Sequence, residues 1–350
     1  MKTKIGQVMT MGLPGPQLDK ELRDFIRRYQ PGGFILFGRN IESPEQLREL
    51  TSELQSLCDV TPIITVDQEG GRVSRLAKIT VQPPSADDLR RARRPDLIEW
   101  HGRLMARILA GFGFNLNLAP VVDILIDPNF DNSLRGRCFG SDPAETVKNA
   151  RLWMRAHRAE GVGVTIKHFP GYSYCSKDPH GTLPVVNRSY EEMQKVELLP
   201  FSELLCDTDA VMVGHAFYPK LAGDGLPSSL SKSLVNDLLR QQLGCKALVM
   251  TDDLEMGAVA SRFTPADLTK LALSAGNDVL LFCHDREMVE FATCVLERED
   301  SELWLSAAER VLSWKQHLSN CAGKAKPVDF KELLEELREL SAQTSTALKS

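Results

Sequence analysis

Charged side chains follow most of the apolar runs in this chain of 350 residues, at the point where each run ends. They are Asp67, Arg135, Arg137, Lys167, His168, His215, Asp252 and Asp253. A charge beside a buried run costs desolvation free energy unless it is paired or in use. As a group these residues predict a functional site, although any single one could instead belong to an ion pair that closes the end of the fold.

Two segments hold groups suited to nucleophilic and acid–base chemistry. Asp252 follows an apolar run in the sequence TDDLEM and is a candidate nucleophile. In the segment GYSYCSKDPHGTLP, Asp178 stands two residues before His180, a spacing at which a carboxylate can orient an imidazole and favour its protonated form. Glycoside cleavage needs such a pair, one group at the anomeric carbon and one acid at the leaving oxygen. A surface turn that merely contains Asp and His is the alternative.

The elements that must position these groups alternate along the chain. Short runs rich in Val, Ile and Phe are each followed by a longer stretch with helical spacing. The eight runs are IGQVMTMG, GGFILFG, PIITVDQEGG, FNLNLAPVVDI, VGVTIKHFPG, AVMVGHAF, ALVMTDD and DVLLFC. This alternation predicts an α/β fold of parallel strands, a single (β/α)8 TIM-type barrel. An open doubly wound sheet is less favoured, because Gly12-Leu13-Pro14-Gly15 is not the GxGxxG turn typical of that fold.

The sequence predicts where several helices begin. Cap residues are expected at Ser43, Asp142, Ser189 and Thr264. Gln46 could close a capping box with the first of them. Two further helical stretches, roughly 301–320 and 328–348, follow the eighth run and are interpreted as the last barrel helix region plus a C-terminal extension. We therefore expect one catalytic barrel domain over 1–350, with the helices of 301–350 packed on it.

Composition excludes several classes of protein. The net charge is −5 with both signs well mixed, which argues against nucleic acid or an acidic membrane surface as a partner. No run of about 18 apolar residues predicts a membrane span, and the N-terminal segment breaks at Gly12 and Pro14 without a cleavage site for a signal peptide. The eight cysteines are scattered without a CxxC pair, which favours reduced thiols in the cytoplasm. We expect no cofactor, no metal and no obligate protein partner, and a monomer.

With these motifs in hand, the sequence resembles the bacterial β-N-acetylglucosaminidases of glycoside hydrolase family 3, the single-domain enzymes of peptidoglycan recycling. The matching stretches are VDQEGGRV (66–73), NLNLAPVVDI (115–124), RCFG (137–140), KHFPG (167–171), DPHGTLP (178–184) and TDDLEM (251–256), with LFGRNI (36–41) and the first strand matching more loosely. They cover nearly the whole chain in the family's order. KHFPG followed by Asp-x-His and then TDDLxM is a specific combination.

The resemblance implies a role for each matching position. Asp252 is similar to the nucleophile that forms a covalent glycosyl-enzyme, and His180 to the general acid/base, with Asp178 holding it. The hydroxyls of the terminal N-acetylglucosamine would be bound by Asp67, Arg137, Lys167 and His168. Glu69 is expected to be structural. The implied activity is a retaining exo-β-N-acetylglucosaminidase that releases N-acetylglucosamine from muropeptides or related β-linked saccharides.

The chain departs from the family pattern at one point. After KHFPG the family continues with a His-Gly pair, whereas this sequence has Tyr172, Ser173, Tyr174 and Cys175, so the base of the loop that carries His180 is altered. A sugar-binding homologue that has lost turnover therefore stays an alternative.

Two enzymatic alternatives also remain. An N-acetylglucosaminide phosphorylase would use the same residues, because a histidine that has given up its proton is neutral and repels phosphate less than a carboxylate does. A metal-dependent barrel hydrolase could draw on Asp67, His168, His180 and His215, but the first strand lacks the His-x-His pair common in such barrels.

Overall fold

The computed structural model describes residues 2–127, 133–175, 183–322 and 329–349, with the backbone alone for 2–3 and 317–322. In chain order the strands are β1 (Met9–Gly12), β2 (Gly33–Leu36), β3 (Ile63–Val66), β4 (Gln68–Gly70), β5 (Val73–Ser74), β6 (Leu116–Asn117), β7 (Gly163–Phe169), β8 (Ala210–Val213), β9 (Leu248–Asp253) and β10 (Val279–Phe282). Eight of them close a parallel barrel in the order β1-β10-β9-β8-β7-β6-β3-β2. The predicted TIM-type barrel is confirmed.

Two of the predicted strands end earlier than their apolar runs. The QEGG part of the third run forms a separate antiparallel hairpin, β4 and β5. Its turn passes through Gly70 and Gly71, with φ of 103° and 53°, a backbone region that glycine reaches without a Cβ clash. In the fourth run only Leu116–Asn117 is strand. There the Asn117 amide exchanges hydrogen bonds of 3.1 and 3.0 Å with the backbone of Gln68.

Helices surround the barrel. They are α1 (Lys2–Gly6), α2 (Lys20–Tyr29), α3 (Pro44–Leu57), α4 (Ala86–Arg91), α5 (Pro95–Gly111), α6 (Pro143–Arg158), α7 (Tyr190–Lys195), α8 (Leu198–Leu204), α9 (Gly257–Ala260), α10 (Pro265–Ala275), α11 (Arg286–Leu296), α12 (Glu302–Ala322) and α13 (Phe330–Ala347), with a π-helical segment at Ser233–Gln242. All four expected cap residues accept a hydrogen bond from the first turn of their helix. Gln46, however, accepts from the N–H of Glu42 and not from that of Ser43.

The last two helices lie beyond the barrel's eighth strand–helix unit. Since α11 already follows β10, the expectation that the first of them belongs to the last barrel helix region was wrong. From α12, Val311 and Trp314 join the inner hydrophobic cluster of the barrel, and Trp314 lies beside Gly163 at the start of β7. This helix therefore closes the N-terminal end of the barrel. The helix α13 packs against α5, where Arg107 and Glu336 form an ion pair at 2.8 Å.

Two apolar layers hold the strands in place. Inside the barrel, side chains such as Ile63, Met212 and Leu281 form one buried cluster. A larger cluster lies between the strands and the helices. Burial of each such side chain contributes about 1.5–3 kcal/mol to the stability of the fold. Close-packed interiors are also hard to compress, so the strands are held in fixed positions. The carboxyl ends of the strands are therefore firm positions from which to place polar side chains.

Candidate active site

The carboxyl ends of the barrel strands surround a cavity of about 590 Å³. Seven residues have a predicted catalytic or sugar-binding role, and five of them line it, namely Asp67, Arg137, Lys167, His168 and Asp252. They come from four different strand ends or the loops after them and lie far apart in the sequence. In barrel enzymes this end of the strands carries the active site. Leu118, Met212 and Leu281, from within the barrel, line it as well.

Lys167 and Asp67 form the first pair in this cavity. The Lys167 Nζ lies 2.8 Å from Asp67 Oδ1 and 2.7 Å from Glu69 Oε1. The lysine side chain is only 2% exposed, so its position is set by these two carboxylates. Arg75 approaches the other oxygen of Asp67 at 3.3 Å. Asp67 therefore bridges two cations at the wall of the cavity.

Glu69 holds the second cation, Arg137. The guanidinium donates two parallel hydrogen bonds of 2.8 Å to the two oxygens of Glu69. Such a fork fixes the plane of the arginine as well as its position. Glu69 thus contacts both Arg137 and Lys167, in keeping with the expectation that its charge serves the structure.

The charges in this network keep one another ionised. Burial alone would raise the pKa of Asp67, but Lys167 and Arg75 outweigh it and hold that pKa below the ordinary value of 3.8. Burial also opposes ionisation of Glu69, yet Arg137 and Lys167 lower its pKa well below the ordinary value of 4.5. The pKa of Arg137 is raised in turn, since the Glu69 carboxylate outweighs the effect of burial. Asp67, Glu69 and Arg137 are therefore charged at any pH near neutrality.

His168 is held by a carboxylate that the sequence analysis did not single out. Its Nδ1 lies 2.8 Å from Asp123 Oδ2, and its backbone N–H donates to the same oxygen at 3.1 Å. The side chain of Asp123 is 0% exposed. Since a carboxylate accepts, Nδ1 carries the proton and Nε2 is left as an acceptor, 3.5 Å from an Arg137 nitrogen. The only sequence signal for Asp123 was a charge at the end of the apolar run NLNLAPVVDI.

The two adjacent aspartates of β9 have different surroundings. Both line the cavity, and Asp252, the less buried of the two, accepts a hydrogen bond of 2.9 Å from the N–H of Asp253. Asp253 accepts from the N–H groups of Glu255 at 3.0 Å and Cys283 at 3.3 Å. Burial raises the pKa of Asp253 to about 6. Asp252 is therefore the carboxylate with the access expected of a nucleophile.

The mouth of the cavity carries an aromatic and cationic rim. The ring of Phe37 stacks with His284, with 6.1 Å between ring centroids. Arg39 and Arg75 lie over the same ring at 4.5 and 5.6 Å. Sequence reasoning missed Phe37 and His284, because the two positions lie at opposite ends of the chain and only barrel closure makes β2 and β10 near neighbours of β1.

The remaining two candidates, Asp178 and His180, lie outside the described residues. The base of their loop is described and is built from the residues that depart from the family pattern. Ser173 Oγ accepts a hydrogen bond of 2.8 Å from the N–H of Ile124, and the Tyr174 ring lies 3.8 Å from the Arg188 guanidinium. Tyr172 is buried against His168.

The described residues contain neither a cluster of metal ligands nor a helix suited to span a membrane. Within the ranges given above, no three His, Cys, Asp or Glu side chains stand together as a metal site would require. The same part of the chain contains no helix whose length and apolarity would suit a bilayer.

Several known proteins are similar to this chain in sequence and in fold. Residues 1–313 match the family described as Glycosyl hydrolase family 3 N terminal domain. A beta-hexosaminidase of Pseudomonas aeruginosa is 34% identical over 293 residues, which cover 83% of this chain and 86% of that protein. A beta-hexosaminidase of Tolumonas auensis is also 34% identical, over 79% of this chain and 83% of its own length.

Among solved structures, a glycoside hydrolase family 3 beta-N-acetylglucosaminidase from Paenibacillus sp. str. FPU-7 superposes with a TM-score of 0.89 at 29% identity, over 98% of this chain and 68% of that one. A glycosyl hydrolase of the GH3 family from Mycobacterium smegmatis gives a TM-score of 0.81 at 31% identity, over 91% of this chain and 96% of its own. These matches confirm the predicted resemblance. With the family match extending over far more than half of its length, the chain belongs to glycosyl hydrolase family 3.

Proposed function

We propose that the protein is a retaining exo-β-N-acetylglucosaminidase that works through a covalent glycosyl-enzyme on Asp252. One observation carries the proposal: a carboxylate at the end of β9 faces the same cavity as Asp67, Arg137, Lys167 and His168. Family membership and relatives that share the name beta-hexosaminidase support a glycoside hydrolase of the β-N-acetylhexosaminidase type. We further propose that 1–350 acts as one catalytic domain.

The binding half of the site suits the hydroxyl groups of a sugar. Lys167 and Arg137 donate hydrogen bonds, Asp67 accepts them, and His168 offers Nε2 as a further acceptor. Glu69 already holds Lys167 and Arg137 before a sugar arrives, and Asp123 holds His168. Asp67 is held by its ion pair with Lys167. Little ordering is therefore required when the sugar binds, and the anomeric carbon can be held in line with Asp252.

In the first chemical step an Asp252 oxygen attacks the anomeric carbon, and the bond from that carbon to the leaving oxygen breaks. We propose His180 as the acid that gives the leaving oxygen its proton, with Asp178 favouring the protonated imidazole. In the second step His180 takes a proton from water, the water oxygen bonds to the anomeric carbon, and Asp252 is released. Two displacements at one carbon retain its configuration.

The shape of the cavity supports removal of one terminal sugar. Its volume of about 590 Å³ falls within the ~300–1,000 Å³ typical of small-molecule sites. Barrel side chains line it from inside, and α12 closes the far end of the barrel, so a saccharide chain cannot pass through. A cavity of this size with a closed floor suits a single terminal sugar and so supports the proposed exo cleavage.

The positive charges at the mouth of the cavity support a substrate whose leaving group carries carboxylates. Arg72 and Arg75 stand at the mouth, where the remainder of the substrate would lie. Cations there favour the carboxylates of a muropeptide over a neutral chitooligosaccharide. We accordingly propose peptidoglycan fragments as substrates and the cytoplasm as the compartment, with the scattered cysteines as the support for the latter.

A chromogenic N-acetylglucosaminide tests the proposal directly. The wild-type protein should release the chromophore without added phosphate, and Asp252→Asn should lose activity by about three or more powers of ten. Asp24→Asn, a change on the exposed face of α2, serves as the control and should keep full activity. Near-normal turnover by Asp252→Asn would contradict the assignment, and a strict requirement for phosphate would favour the phosphorylase.

The covalent intermediate needs its own test. A fluorinated glycoside that turns over slowly should leave an adduct on the peptide containing Asp252, which mass spectrometry would detect. Absence of an adduct, together with inhibition by a thiazoline, would favour attack by the substrate's own acetamido oxygen assisted by Asp253.

A further inference from the structure

Tyr172 occupies the position where the chain departs from the family pattern, and it contacts the sugar-binding side of the site directly and the nucleophile side through His215. Its side chain is buried, at 2% exposure, yet it forms part of the cavity wall. Its ring is stacked on the imidazole of His168, with centroids 5.1 Å apart and planes 15° apart. Its backbone N–H donates to Asp123 Oδ1 at 2.6 Å, while the other oxygen of that carboxylate holds His168.

The phenol hydroxyl reaches the nucleophile side of the cavity. It accepts a hydrogen bond from the backbone N–H of His215, the residue two positions after the end of β8. The imidazole of His215 is itself buried and fixed, with Nδ1 2.7 Å from Ser229 Oγ and Nε2 2.8 Å from the carbonyl oxygen of Asp253. Asp253 in turn donates its N–H to Asp252. A short series of contacts therefore connects the Tyr172 hydroxyl with the strand end that carries Asp252.

Gly214 shows that the space for this hydroxyl is specific. A Cβ at position 214 would overlap the hydroxyl oxygen and the ring carbon that bears it. Only glycine leaves the phenol room at that point of the chain, next to the N–H that it accepts from.

We propose that Tyr172 is a positioning residue of the glycosidase reaction, holding sugar-binding His168 through its ring and the Asp252 strand end through its hydroxyl. The inference rests on the proposed function, since it concerns the same two steps. The two contacts have different consequences. Loss of the hydroxyl should disturb the chemical step, whereas loss of the ring should also weaken binding of the sugar.

Two substitutions separate these contacts. Tyr172→Phe keeps the ring stacked on His168 but leaves the buried N–H of His215 without its acceptor. We expect kcat on a chromogenic N-acetylglucosaminide to fall by about tenfold, with KM and the affinity for free N-acetylglucosamine unchanged. Tyr172→Leu removes both contacts and should in addition weaken that affinity by about threefold or more. Tyr174→Phe is the matched control, because that ring lies against Arg188 outside the cavity lining, and it should retain wild-type constants.

If Tyr172→Leu folds poorly, Tyr172→Phe and Gly214→Ala still test the hydroxyl contact, because both keep the buried ring. Gly214→Ala should lower kcat by displacing the phenol, and adding it to Tyr172→Leu should cost much less than it does alone, because the overlapping ring is gone. Unchanged kcat in Tyr172→Phe, or equal losses from Gly214→Ala in both backgrounds, would overturn the proposal. The kcat comparisons for the Tyr172 and Gly214 variants both require an active wild-type enzyme. An inactive wild type contradicts the proposed function itself, whereas an active wild type with indifferent Tyr172 variants contradicts only this inference.

Discussion

Glu69 offers the most informative single change in the site network, because one carboxylate holds two buried cations. In Glu69→Gln the side chain keeps its size but loses its charge, and an amide has one oxygen where the carboxylate has two. The present carboxylate accepts two bonds of 2.8 Å from Arg137 and lies 2.7 Å from the Lys167 ammonium. If the amide oxygen faces Lys167, its NH2 group must face the Nε–H of Arg137, and two donors then oppose each other.

The expected loss of stability follows from these contacts. A hydrogen bond to a charged group contributes about 1.5–3 kcal/mol, and breaking a buried ion pair on one side costs about 3–5 kcal/mol. We expect the free energy of unfolding of Glu69→Gln to fall by about 3–5 kcal/mol. Since the pKa of Glu69 is held far below neutrality, this difference should be the same at pH 6 and pH 8.

Urea unfolding followed by tryptophan fluorescence measures this loss, and titration with N-acetylglucosamine measures the effect on the site. The affinity should fall as well, because Arg137 and Lys167 are no longer held in place. Asp24→Asn breaks an ion pair of 2.7 Å whose partners are 89% and 53% exposed, and should leave the free energy of unfolding close to that of the wild type. If Glu69→Gln unfolds at the same urea concentration as the wild type and binds the sugar with the same affinity, Glu69 does not hold Arg137 and Lys167 in their binding positions.

Three further predictions concern single residues. Arg137→Ala should weaken binding of free N-acetylglucosamine by about 10- to 100-fold in calorimetry, and unchanged affinity would assign the arginine to a structural ion pair alone. His180→Ala should lose far more activity on a natural saccharide than on an aryl glycoside with an acidic phenol, and azide should accelerate the variant; equal losses and no azide effect would place the acid elsewhere. Burial lowers the pKa of Lys315 to about 7, so the unfolded chain binds more protons between that pH and 10.5, and the lysine destabilises the fold most at neutral pH and below. The free energy of unfolding of Lys315→Met, relative to that of the wild type, should therefore rise by up to ~4 kcal/mol as the pH of urea unfolding is lowered from 10 to 7. A difference between the two proteins that does not change with pH would refute this.

The sequence by itself was enough for the architecture. Eight apolar runs alternating with helical stretches are local patterns, and parallel strands joined by helices place all their carboxyl ends at one end of the sheet. Charged residues at those ends, such as Asp67, Lys167 and Asp252, could therefore be assigned to one site before any contact was known. The structure places these three side chains around one cavity.

Only the tertiary structure decided which of these side chains touch. His168 meets Asp123 across 45 positions of sequence, and Arg137 meets Glu69 across 68. Neither spacing has a periodic signal, because it depends on the register of β6 against β7 and on the path of the loop that precedes α6. The same holds for Tyr172, whose hydroxyl meets the N–H of His215 only because Gly214 leaves it room. Residue types at strand ends are a local property of the chain, whereas their pairing is set by barrel closure and side-chain packing.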